Sequence, residues 1–277
     1  MTLSARNLVF KLGIVLSFFC ILFCIIASIK VIPVYPAMEH EITRYSGNIF
    51  QVFTGKFLDT KLLAVHGCIL ALVFYSFLSI ILIYYFFEKT QSPEIFFVIF
   101  FTVSFSLEAL RFVLPLCWVY EIPALYLLMT SRIILFSRLF GIFSLTASSL
   151  FAAGFKVQKQ SSVILIIAVT TLIITLEVPI DTNIWDSSLN MINGYNPIFR
   201  FIETGAFFIT IISFFIAAWL RTSLEFVSIG IGAVLAFLGR NILLNAATWA
   251  GPPIGLLFLG VGTWLICTKL HKIYLWL

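Results

Sequence analysis

Six ionisable residues interrupt otherwise apolar stretches of the chain: Glu108, Arg111, Arg132, Arg138, Glu203 and Arg240. A charge at the centre of a bilayer costs about 2.5–3.5 kcal/mol on insertion scales, so such residues pair, face a bundle interior or line a wet cavity. Glu108 and Arg111, at i and i+3, can pair along one helix. With Ser104 and Pro115 they fall within an arc of about 60° at 100° per residue. Arg132 and Arg138 are roughly 120° apart around a helix axis and cannot share a face. Arg138 sits near the middle of its run, whereas Arg132 is close enough to an end to snorkel. Asn241, Asn245 and Thr248 line one helix face with Arg240 about 100° aside, and Asn side chains bridge helices in membranes. Glu203 starts its run from the outer side, within reach of water.

Four of these charges are positive and two negative. If all six met in one cavity, the surplus would favour an anion, because a guanidinium matches phosphate or carboxylate bidentately. The sharper expectation is an arginine-lined intramembrane cavity that handles an anionic or lipid ligand. The plainer one is that Glu108 with Arg111, and Glu203 with another arginine, pin helices together. Residue types and spacing leave both open.

Other chemistry has little support in the sequence. It has no Walker loop, no H-E-x-x-H, no G-x-S-x-G and no Asp-rich diphosphate motif, so no catalytic residue and no cofactor is expected. Cys20, Cys24, Cys68, Cys117 and Cys267 all lie within apolar runs, which suits packing rather than a disulfide framework or a zinc site. His40, His66 and His271 are scattered; no metal site is expected from them.

The elements that position these charges follow from composition. Of 277 residues 61% are hydrophobic and 10% charged, against about 25% charged in an average protein. That is too little charge to cover a water-exposed surface. A helix needs about 20 apolar residues to cross the roughly 30 Å hydrocarbon core. Runs of that length predict eight spans near 9–31, 62–87, 95–120, 123–153, 162–178, 199–220, 226–249 and 253–273. The expected fold is all-α, a polytopic transmembrane helical bundle forming one integral membrane domain over 1–277. The first span reads as a retained anchor, since it is longer than a signal h-region and lacks a cleavage site.

Positive loops stay cytoplasmic. Arg6, Lys11, Lys89, Lys156, Lys159, Arg221, Lys269 and Lys272 fall on the side of the N-terminus, while Lys30, Arg44, Lys56, Lys61 and Arg200 fall opposite. Both termini are therefore expected to be cytoplasmic, with a bacterial inner membrane as the setting. The outer loops are 32–61 and 179–198. In the first, Ile42, Tyr45, Ile49, Val52, Phe53 and Phe57 recur at helical spacing and predict an interfacial helix. In the second, turn formers and aromatics suggest a cap over the bundle. Gly230, Gly232 and Gly239 on the seventh span, with Gly255, Gly260 and Gly262 on the last, suggest close packing of those two helices. Trp264, Tyr274 and Trp276 read as an interfacial belt.

Two functions follow as expectations. One is transport or handling of an anionic or lipid ligand; the other is a non-catalytic scaffold, sensor or assembly subunit working through a membrane or cytosolic partner protein. The sequence pI of about 9.0 is accounted for by basic flanks of the spans, with the lipid bilayer as the surrounding partner and no nucleic acid required.

Overall fold

The computed structural model describes residues 3–36, 38, 62–88, 92–186, 188–245 and 248–275. Among them, eight helices are long and apolar enough to cross a membrane, the pattern of a multi-pass membrane protein. In chain order the elements are α1 (Leu3–Val31), α2 (Leu62–Phe87) and a composite third helix, which runs as α3 (Pro93–Ser104), a 3-10 segment (Phe105–Phe112) and α4 (Val113–Tyr120). Then come α5 (Ala124–Ala152), α6 (Gln160–Glu177), strands β1 (Ile180–Trp185) and β2 (Met191–Asn193), α7 (Asn196–Leu220), α8 (Glu225–Asn245) and α9 (Gly251–Leu275). The interfacial helix expected over 42–57 lies outside the described residues.

Burial sorts these helices into an interior and a rim. The composite third helix is 72% buried over its apolar window and α5 61%, whereas α6 is 17% buried. The two interior helices carry Glu108, Arg111 and Arg138, so the residues that tolerate lipid least sit where lipid is excluded. Phe97 of α3 stacks on Phe151 of α5 with ring centroids 5.2 Å apart, and Gly141 of α5 meets Ser104 so closely that a Cβ there would lie 2.3 Å from the Ser104 hydroxyl.

The two ends of the bundle are distinguished by their contacts. At one end Arg6 donates to the carbonyls of Phe87 (2.9 Å) and Glu88 (2.7 Å), capping the C-terminus of α2 where orphan carbonyls attract a cation. Nearby Tyr274 of α9 donates to Glu94 of α3 at 2.6 Å, and Lys272 to Glu225 of α8 at 2.6 Å. The start of α1 and the end of α9 thus belong to the same end of the bundle. Tyr274 thus ties the end of α9 to the start of α3. Trp264 does face outward, 63% exposed.

The last two helices pack through glycine. A Cβ on Gly232 would come 2.8 Å from the carbonyl of Gly262, and one on Gly239 2.4 Å from the amide of Leu259. Absence of a side chain is what lets α8 and α9 approach backbone to backbone. Gly260 is different: a Cβ there meets nothing within 4 Å, so it lies outside that seam.

At the other end, the segment expected only as a cap forms an antiparallel hairpin, with Ile180 opposite Asn193 and Asp181 opposite Ile192. This is the one departure from an all-α fold among the described residues. Its turn is organised by Asp186, whose Oδ1 accepts from the amides of Ser188 and Asn190, both at 2.9 Å. Such Asx-type bonding is why Asp favours turns. Leu189 adopts φ +57°, a left-handed conformation unfavourable for a β-carbon. Its side chain is 2% exposed and packs in the cluster containing Ala109, Phe112 and Leu114. Burial offsets the backbone strain, and the hairpin is thereby wedged into the bundle.

Candidate functional site

The third helix changes winding where its charges lie. Pro115 cannot donate to the carbonyl of Arg111 and its ring crowds that carbonyl, and Ser104 and Ser106 bond back to the carbonyls of Phe101 and Val103, both at 2.7 Å. The chain tightens into eight residues of 3-10 helix, Phe105–Phe112, longer than the three or four usual for that form. Ser137 of α5 donates at 2.6 Å to the Ser104 carbonyl at the junction. The 100° spacing expected from sequence therefore does not apply here. At three residues per turn, Phe105, Glu108 and Arg111 stand in one line.

Glu108 is 1% exposed, and its main partner comes from another helix. Arg138 of α5 donates its Nε to one carboxylate oxygen and its Nη2 to the other, each at 2.6 Å. The pairing with Arg111, which sequence spacing favours, is a longer contact of 3.5 Å. Arg111 instead sends its Nη2 to the carbonyl of Ser188 in the hairpin turn. Arg138 likewise reaches the hairpin, donating to Asn190 Oδ1 at 2.8 Å. Arg138 lies fourteen residues from either end of α5, about 21 Å along the axis, and its side chain is 19% exposed, toward the cavity it borders.

A second pair adjoins the first. Arg240 of α8, 1% exposed, donates to Glu203 of α7 at 3.3 Å, to the carbonyl of Arg138 at 3.4 Å and to Asn241 at 3.1 Å. Four spanning helices and the hairpin thus share one network. Arg132 stands apart: among the described residues it makes no ion pair, and its Nε is buried without a hydrogen-bond partner. Asn245 turns back to the carbonyl of Asn241 at 3.0 Å, in an exposed position.

These placements change the charge balance. Within the network Arg111, Arg138 and Arg240 face Glu108 and Glu203, leaving one positive charge rather than the two expected of all six residues. Asp186 of the hairpin turn acts electrostatically on both Arg111 and Arg138, and including it brings the formal sum to zero. The cavity bordered by Arg111, Arg138, Asn190 and Asn193 has a volume of about 30 Å³, room for about one or two water molecules.

Ser188 and Asn190 escaped sequence reasoning because a carbonyl and a neutral amide in a polar loop carry no distinguishing signal. His66 has a structural role, as its type and position suggest, but with partners that spacing does not reveal. It bridges Tyr35 at Nδ1 and Ser28 at Nε2, both at 2.9 Å, and the Ser28 hydroxyl in turn donates a hydrogen bond to the Cys24 carbonyl at 2.6 Å. The result is a satisfied chain of bonds joining α1 to α2. Among the described residues no group of three or more His, Cys, Asp or Glu could hold a metal ion. Comparison with protein-family models, with curated proteins and with solved structures returned no match to the chain.

Proposed function

We propose that the protein is a non-catalytic membrane subunit, a scaffold or sensor whose outer hairpin is coupled to the bundle through buried charges and which acts through a partner protein. The observation that carries this reading is the saturation of Glu108 by Arg138, with both oxygens bound at 2.6 Å and the arginines anchored on the hairpin. A charged network closed on itself resists a ligand, because entry of an anion must break the charge-assisted hydrogen bonds that already engage the Arg138 and Arg111 guanidinium groups. What the network does hold is the hairpin, through Ser188 and Asn190. The preponderance of basic residues at the Arg6 end supports cytoplasmic termini and an outward-facing hairpin in a bacterial cell membrane.

A second reading, handling of a small anion, has one observation in its favour. Arg111 Nε and Arg132 Nε are buried donors without partners. Reconstitution of the purified chain into proteoliposomes separates the two. The subunit reading expects inorganic phosphate and chloride uptake equal to that of empty vesicles, together with a larger stoichiometric complex when native membranes are gently solubilised. Saturable anion uptake by the chain alone, lost in Arg138→Leu, would overturn it.

A further inference from the structure

The third helix and α5 form the interior of the bundle, yet α5 is covered over only part of its length. All of its buried residues lie at or beyond Ile134. None of the ten before it, 124–133, is buried, and Leu125, Tyr126, Met129 and Ile133 are 59%, 58%, 48% and 44% exposed. These ten residues span about 15 Å at 1.5 Å per residue, half of a roughly 30 Å hydrocarbon core. They lie toward the hairpin end, since Ser148, further along α5, donates to the carbonyl of Glu94 at the Arg6 end. An interior helix is thus left open on one side over that depth. Leu125, Met129, Arg132 and Phe136 fall within an arc of about 60° at 100° per residue, which places Arg132 in an otherwise apolar stripe.

Arg132 differs from the other arginines within the spans. Arg111 and Arg138 face Glu108, and Arg240 faces Glu203, and with Asp186 that set is formally neutral. Arg132 is half-buried and makes no ion pair among the described residues. Its Nε is covered, which leaves Nη1 and Nη2 as the outward donors. The residue lies eight positions into α5, about 12 Å along the axis. Lipid chains satisfy Leu125, Met129 and Phe136 but not a guanidinium, and ionisable residues in spans ordinarily find a partner. A helix laid along the same stripe covers the apolar residues, and one carboxylate in it at the depth of Arg132 meets both Nη donors at once. Charge complementarity therefore favours a protein helix with an acidic residue over a further copy of lipid chains.

We propose that this open face of α5 is the docking site for a transmembrane helix of a partner protein, whose carboxylate pairs with Arg132. The inference rests on the subunit reading and names where that partner binds. The full chain, carrying a donor fluorophore, is placed in phosphatidylcholine vesicles with acceptor-labelled polyleucine helices that bear one Glu or one Gln at the depth of Arg132. Energy transfer should show the Glu helix binding at least about five-fold more tightly than the Gln helix. That preference should vanish in Arg132→Leu and in Arg132→Gln and persist in part in Arg132→Lys. Because Arg132 has no partner within the chain, neither neutral variant should lower the unfolding temperature, which separates lost docking from lost folding. In native membranes the larger complex expected of the subunit reading should come apart in Arg132→Leu. A complex that survives this change would overturn the docking site and leave the subunit reading standing, whereas anion uptake by the chain alone tests that reading separately. Equal binding of the Glu and Gln helices would also overturn the proposal. So would labelling of 124–133 by a photoactivatable phosphatidylglycerol that Arg132→Leu removes, which would assign the arginine to a lipid headgroup.

Discussion

Arg138 holds both oxygens of Glu108 from a neighbouring helix at 2.6 Å, while Arg111, three residues from Glu108 on its own helix, stands 3.5 Å away. The tighter pair is the one that crosses between helices, so it fixes how α5 sits against the third helix. Removing one partner of a buried pair costs about 3–5 kcal/mol because the other charge is left uncompensated, whereas replacing both with apolar residues is often neutral. Glu108→Leu and Arg138→Leu should each lower the unfolding midpoint of the solubilised protein strongly. The double variant should recover part of the loss. Additive losses in thermal unfolding would show that the two residues do not act as a pair.

Asn190 joins this pair to the hairpin. A hydrogen bond to a charged group contributes about 1.5–3 kcal/mol, and Asn190→Ala removes the Oδ1 that accepts from Arg138. The local effect should exceed the global one. Amide hydrogen exchange over 188–193 is expected to speed up by at least ten-fold with little change in α3 or α5. Uniform exchange throughout the chain would separate the hairpin from the network.

Glycine positions in the last two helices should respond in opposite directions. Gly239→Ala places a Cβ 2.4 Å from the Leu259 amide, where only backbone movement gives relief, and overpacking of this kind costs about 1–3 kcal/mol. Gly260→Ala meets nothing and replaces a poor helix former with the best one, a gain of up to about 1 kcal/mol. Thermal unfolding of the two variants in one detergent checks both signs.

Hydropathy made the eight helices legible because lipid leaves a span almost no choice but to be apolar for about 20 residues. The charged residues were legible for the same reason: each stands out against that background. What a one-dimensional pattern lacks is depth and rotation. Assuming α geometry paired Glu108 with Arg111 and missed that Pro115 and two serines tighten the helix, which lets Arg138 supply the main contact. Nor does spacing reveal that Arg240 and Glu203 adjoin the first pair while Arg132 does not, since their proximity depends on how four helices rotate. The hairpin contributes a backbone carbonyl and an amide side chain, groups common to every loop. His66 looked like an isolated histidine because its partners, Ser28 and Tyr35, are more than thirty residues away in sequence.

The orientation has a direct test. Tyr195 is 49% exposed beyond the hairpin, and Leu224 is 83% exposed at the Arg6 end. If basic flanks keep the latter end cytoplasmic, an impermeant maleimide should label Tyr195→Cys in intact cells and label Leu224→Cys only after the membrane is opened. The reverse pattern would invert the topology.

Pro115 provides the test of the 3-10 segment. Proline in a helix interior ordinarily costs about 3 kcal/mol, so Pro115→Ala should stabilise the chain if winding had no other consequence. The residue lies four positions beyond Arg111, and restoring an amide there allows an α-type bond to the Arg111 carbonyl. Rewinding from Ser104 at 100° rather than 120° per residue would turn Glu108 by about 80° over four residues, away from the arginine that holds both its oxygens. The expected outcome is therefore a fall in unfolding temperature despite the better local propensity, with faster exchange in the hairpin because Arg111 would turn with Glu108. A stabilised Pro115→Ala variant with an unchanged hairpin would mean that the charge network, rather than the proline, imposes the tight winding.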